Sequence, residues 1–169
     1  MNSSASAPRA SQSDPVQVLS FALAGHRFAL PLKGVAELTR AFALQALPQA
    51  PSVVCGVLNL RGEVVPVLSL RRRFGLPEKE LSSTDYFVFA AVGARRVALL
   101  VDRVLSVDSL SALPAEHTPN LAPLRLEYVS GVAAVADGVV LIHDLNSFLN
   151  AAEDVELTRA LGSARPELT

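Results

Sequence analysis

The sequence has no tryptophan, one methionine, one cysteine and only 5% aromatic residues. Each shortage excludes something. The lone Cys55 rules out a disulfide framework, and its place in a Val/Leu run reads as a buried, inert thiol in a reducing compartment. Few rings and a formal net charge of −1 leave neither a stacking platform nor an electrostatic footprint for nucleic acid. No apolar run reaches the roughly 18 residues that a membrane helix needs, so no membrane insertion is expected. The Ser/Ala/Pro-rich Met1–Pro15 has no hydrophobic signal region and reads as a disordered tail. His26, His117 and His143 are scattered without a second ligand at metal spacing, so neither a metal nor a cofactor is expected. No phosphate loop, dinucleotide fingerprint or nucleophile elbow is present, because Ser130-Gly131 lacks both the preceding glycine and a base. The chain therefore reads as no enzyme, and its partners as proteins.

What is present is an apolar chain, half hydrophobic and 18% charged over 169 residues, long enough to bury a core. Gln17–Leu23 and Phe28–Leu32 alternate around Gly25 as a hairpin would, and Ala36–Leu44 is a further strand candidate carrying Glu37. The densest stretch is Gly56–Leu70. There, two apolar strands flank Arg61-Gly62, a pair suited to the positive φ of a hairpin turn. Pro66 cannot donate to a ladder, which predicts an edge strand or a bulge. Ser69 then reads as the N-cap of a one-turn helix, Leu70–Phe74, closed by Gly75. The Arg71-Arg72-Arg73 run on that helix reads as a solvated face.

The chain repeats itself. At an offset of 69, Leu19 meets Val88, Leu30 meets Leu99, Val35 meets Val104 and Leu38 meets Val107. At an offset of 75, Val54 meets Val129, Gly56 meets Gly131, Val67 meets Ile142 and the cap Ser69 meets Asp144. The offset grows across the Pro-rich loop Asp108–Leu126, and the repeat boundary falls near residues 78–84. This predicts two similar units of five short strands, consecutive or intertwined, favouring small barrels, with a sandwich as the alternative. The copies differ at the turn: Asn59 and Arg61 face Ala134 and Ala136, while the second turn moves to Asp137-Gly138. A hairpin needs only turn chemistry, so Asn59 and Arg61 become candidates for binding. Glu37 also belongs to one copy, since Ser106 stands opposite. Asn146–Leu161 is the one long helix candidate, followed by a frayed tail to Thr169.

Gly56, Asn59, Arg61, Gly62, Pro66 and Val67, together with FALPLKGVAEL, VDRVLSV and VSGVA, resemble the CheW coupling proteins of bacterial chemotaxis. The likeness spans Val16–Glu153, within a domain of residues 16–155. It implies an all-β fold of two five-stranded β-barrels sharing a hydrophobic seam, with a C-terminal helix whose end and tail occupy residues 156–169. It also implies a non-enzymatic adaptor in two-component signalling, bridging methyl-accepting chemoreceptor tips and a histidine kinase of the CheA type. Such a protein would be cytoplasmic, recruited to membrane receptor arrays, and a monomer when alone. Carried over by position, Val35, Glu37, Gly56, Asn59, Arg61, Gly62, Val104 and Val107 would bind partners. Receptor contact would run along the groove between barrels and kinase contact at barrel ends. One departure is Ser69, where the family usually carries Asp; both cap helices. Two other readings stand beside this one: a CheW-like adaptor of another receptor–kinase system, such as one governing surface motility, and a barrel that senses a small ligand.

Overall fold

Alternating side chains make Val16–Leu23 (β1) and His26–Pro31 (β2) a hairpin, with Ala24 and Gly25 at φ 50° and 79° in its turn. The structure, a computed structural model, describes residues 14–114, 128–136 and 138–164. Strand β3 (Val35–Arg40) follows a single 3-10 turn and ends well before the expected Leu44. The Gly56–Leu70 stretch forms β4 (Val54–Leu60), β5 (Glu63–Ser69) and the short helix α1 (Leu70–Phe74). The Ser69 hydroxyl accepts the Arg72 N–H and Gly75 ends the helix at φ 69°, as the cap residues require. The second half repeats the series as β6 (Tyr86–Val92), β7 (Arg95–Val101), β8 (Arg103–Leu110), β9 (Leu113–Pro114), β10 (Val129–Val135) and β11 (Gly138–His143).

The long helix begins later than its apolar pattern indicates. Asp144 caps only a 3-10 turn, Leu145–Ser147, and α2 (Ala151–Ala164) starts afresh. The cause is a capping box. The Asn150 side chain accepts the Glu153 N–H at 2.8 Å, while the Glu153 carboxylate accepts the Asn150 N–H at 3.0 Å. Met1–Ser13, His117, most of the loop expected over Asp108–Leu126, Asp137 and the tail beyond Ala164 lie outside the described residues.

The strands assemble into a six-stranded sheet, β8-β1-β2-β11-β10-β9, and a five-stranded sheet, β3-β6-β7-β5-β4. Each sheet thus takes its first hairpin from one half of the chain and the remaining strands from the other. Equivalent details recur in both. Register shifts fall around Ala36 and Leu105 in one pair of ladders and around Cys55 and Ser130 in the other. The parallel pairings Val67↔Ala98 and Ala29↔Ile142 also correspond.

The expectation of two closed barrels is not met: both sheets are open. The reason lies at the outer edge of β4, where Val57 exchanges backbone hydrogen bonds of 2.8 and 3.0 Å with Gln45 from the β3–β4 connection. In the other sheet β9 takes the same place beside β10, pairing with Gly131 and Val132. Each connection occupies the edge that the far end strand would need for closure. Pro66 also departs from expectation, because β5 is an interior strand. Val57 spends its backbone groups on Gln45, so Val57↔Pro66 is a non-hydrogen-bonded pair, and the parallel ladder to β7 begins only at Val67. The missing N–H costs no ladder bond.

Alternation leaves both faces of each sheet apolar, and both are buried. Leu19, Phe21 and Leu30 of one sheet meet Val88, Leu99 and Leu68 of the other in a single core, which Leu157 and Ala160 of α2 complete. A smaller cluster around Phe87, Phe89 and Val65 fills the second face of the five-stranded sheet. Val18, Val140 and Ile142 do the same for the six-stranded one.

Candidate functional site

The β4–β5 turn is the best-defined polar feature. Arg61 and Gly62 adopt φ 52° and 87°, the two positive angles of a type I′ hairpin turn. Asn59 fastens the turn, its Oδ1 accepting the Gly62 N–H at 2.8 Å. Arg61 then reaches across to β3, where its Nη2 donates to Glu37 Oε1 at 3.0 Å. Since β3 and β4 are the two ends of one open sheet, this ion pair spans a gap that backbone pairing leaves unbridged. The Arg61 side chain remains 74% exposed, so the pair itself is worth only about 0–1 kcal/mol and the guanidinium is accessible.

Four of the sequence-predicted residues, Glu37, Asn59, Arg61 and Gly62, thus share one rim. Gly56 lies deeper in β4, where an added Cβ would come within 2.8 Å of the Gln45 carbonyl. Val35 is half-buried on β3 opposite Ala90. Val104 and Val107 are on β8, the edge strand of the other sheet, half-buried and 56% exposed respectively. Val107 pairs with Leu19, and its repeat equivalent Leu38 pairs with Val88; both opposite residues belong to the shared core. Each edge strand therefore presents an exposed aliphatic residue on its core side.

Sequence reading missed three arrangements. Arg71 and Arg73 are not a solvated face. Arg71 grips Asp102, between β7 and β8, through Nη2 at 2.6 Å and Nε at 3.3 Å, and Asp102 also accepts the Ala24 N–H at 2.9 Å. Burial alone would raise the Asp102 pKa, but Arg71 and the Ala24 N–H outweigh it and hold the carboxyl below its ordinary value. Arg73 donates to Glu153 of α2 at 2.5 Å and to the Tyr128 hydroxyl at 3.2 Å. Arg72, the exposed member of the run, pairs with Glu78. The second arrangement is on the six-stranded sheet, where Asp108 accepts from Ser106 at 2.6 Å and from Ser20 and Arg27 at 3.1 Å, which keeps its pKa low. The third is His143, 2% exposed among Phe28, Phe74 and Phe148, with no hydrogen-bond partner for Nδ1 among the described residues. The one available signal was a lone acid at a strand junction, Asp102 in VDRV.

Cys55 is half-buried, and burial pushes its thiol pKa up, away from reactivity. Among the described residues no group of three His, Cys, Asp or Glu could hold a metal ion, and no helix is long and apolar enough to cross a membrane.

Known proteins share this fold and sequence. A family profile described as the CheW-like domain matches residues 17–153. The chemotaxis protein CheW of Helicobacter pylori is 33% identical over 140 residues, 82% of this chain and 84% of that protein. The CheW of Treponema pallidum is 26% identical over 151 residues, covering 86% and 89%. Protein FrzA of Myxococcus xanthus is 28% identical over 138 residues, covering 81% and 86%. The crystal structure of the scaffolding protein TtCheW from Thermoanaerobacter tengcongensis superposes with a TM-score of 0.73 at 24% identity, over 82% of this chain and 95% of that one. With the profile running from β1 into the first turn of α2, the chain belongs to the CheW-like domain family.

Proposed function

We propose that the chain is a non-enzymatic adaptor that couples methyl-accepting chemoreceptors to a histidine kinase of the CheA type, in the cytoplasm at receptor arrays. The observation that carries this reading is the extent of the match, residues 17–153, which takes in both sheets and both edge strands. The geometry is of a kind an adaptor needs. The Glu37–Arg61 rim with Asn59 and Gly62 lies at the ends of one sheet, whereas Val104 and Val107 lie on the edge of the other. Two surfaces on different sheets suit a protein that holds two partners at once, and an accessible arginine is a frequent interface anchor.

The test is titration of the purified chain with the kinase and, separately, with a receptor signalling fragment. Binding to both is expected; binding to neither sinks the adaptor reading. Protein FrzA, which carries a name other than CheW, is as similar at 28% as the Treponema CheW at 26%, and this keeps an adaptor of another receptor–kinase system as the second reading. The kinase that co-purifies with the chain from its own cells decides between them.

A further inference from the structure

A cleft of about 560 Å³ opens where β8 begins, walled by Ala22, His26, Arg27, Arg103 and Leu105 on one side and by Lys79, Thr84 and Asp85 on the other. Its floor is set by strand register. Ala22 of β1 pairs with Arg27 of β2 on one side and with Arg103 of β8 on the other, so a small residue separates two arginines on one face. Their situations differ. Arg27 is committed to Asp108 at 3.1 Å, while Arg103 is exposed and has no acidic partner among the described residues.

The acids of the cleft are already satisfied. Asp85 is 2% exposed and takes Lys79 at 2.5 Å and the Ser82 N–H at 2.8 Å. Asp102 takes Arg71 and the Ala24 N–H. Among the described residues, Arg27, Arg71 and Lys79 are paired with Asp108, Asp102 and Asp85, while Arg103 beside them is not paired with a carboxylate. Beside Arg103 on the same strand, Leu105 is 38% exposed and also lines the cleft.

We propose that this cleft binds an acidic segment of a partner protein, with Arg103 taking a carboxylate while an adjacent apolar residue of that segment covers Leu105. The proposal rests on the adaptor reading and assigns β8 the chemistry of its partner. A free phosphate would satisfy Arg103 but leave Leu105 uncovered, which favours the peptide.

The experiment compares wild type, Arg103→Glu and, as a control away from the cleft, Arg159→Glu on α2. Each is titrated with the kinase and with the receptor fragment at low and high salt. Arg103→Glu should weaken binding to one of the two roughly tenfold or more and remove the salt dependence seen in wild type, with Arg159→Glu unchanged. In parallel, an oligoglutamate peptide should shift the amide signals of Ala22, Gly25 and Arg103 in wild type but not in Arg103→Glu. Unchanged affinity for both partners overturns the proposal. So does a shift of those amides by inorganic phosphate but not by oligoglutamate, which would make the cleft a phosphate site. If wild type binds neither partner, the adaptor reading falls, and the oligoglutamate titration alone decides the cleft.

Discussion

Arg61 shows most clearly how much one residue's role depends on what it touches. Its backbone conformation serves the turn, which the second copy builds without an arginine, and its side chain makes one exposed ion pair. Arg61→Ala should therefore move the unfolding free energy by less than about 1 kcal/mol. Its effect should appear in partner affinity, as a loss of about 2 kcal/mol or more. A large stability loss with unchanged affinity would make it a structural residue. Gly56 is the opposite case. A methyl group there meets the Gln45 carbonyl at 2.8 Å and Leu44 Cβ at 3.0 Å, so Gly56→Ala should cost roughly 1–3 kcal/mol in a denaturant titration. His143 is a third kind. Burial lowers its pKa from 6.5 to about 4, so the unfolded chain binds the proton more tightly than the folded one. Its contribution is complete above pH 6.5 and is lost as the pH falls from there towards 4, by up to about 3 kcal/mol. Stability curves of wild type and His143→Phe should diverge in that window; parallel curves would show that His143 does not titrate this way.

At the scale of elements, what was legible in the sequence is what is local. The Ser69 and Gly75 caps and the Arg61-Gly62 turn are short-range signals, and the structure places them in the roles their chemistry gives. The ion pairs were not legible. Arg71 meets Asp102 and Arg73 meets Glu153 across long stretches of chain, and nothing in a basic run says which acid will fold onto it. The start of α2 was misplaced because apolar spacing alone runs through Asn150, whereas the Asn150–Glu153 box restarts the helix. Asn150→Ala should cost about 1 kcal/mol. Glu153→Ala should cost more, since Glu153 also anchors α2 to Arg73, and the double variant should fall short of the sum. Additive losses would separate the cap from the anchor.

For the whole molecule, the repeat was legible and its assembly was not. Sliding the chain on itself shows which strands are equivalent, but not that β1–β2 pair with β8 and β11 while β6–β7 pair with β3 and β5. Nor do alternating apolar faces record whether a curled sheet closes. The exchange has a thermodynamic consequence, because neither half contains a complete sheet. Denaturation followed by the amide signals of Phe21 in one sheet and Phe89 in the other should give one transition, and a fragment of residues 85–155 should be molten or aggregated. Two separate transitions would contradict a shared core.

A molecule whose two sheets share one core holds the edges of both in a fixed relation, which suits the proposed coupling of a receptor to a kinase. The most direct measurement is kinase autophosphorylation with and without a receptor signalling fragment, as the chain is titrated in. The expected result is a change in kinase activity that needs all three proteins, saturates with the chain and is lost in Arg61→Ala. A response that is the same without the chain, or kinase and receptor displacing each other from it, would contradict the adaptor account.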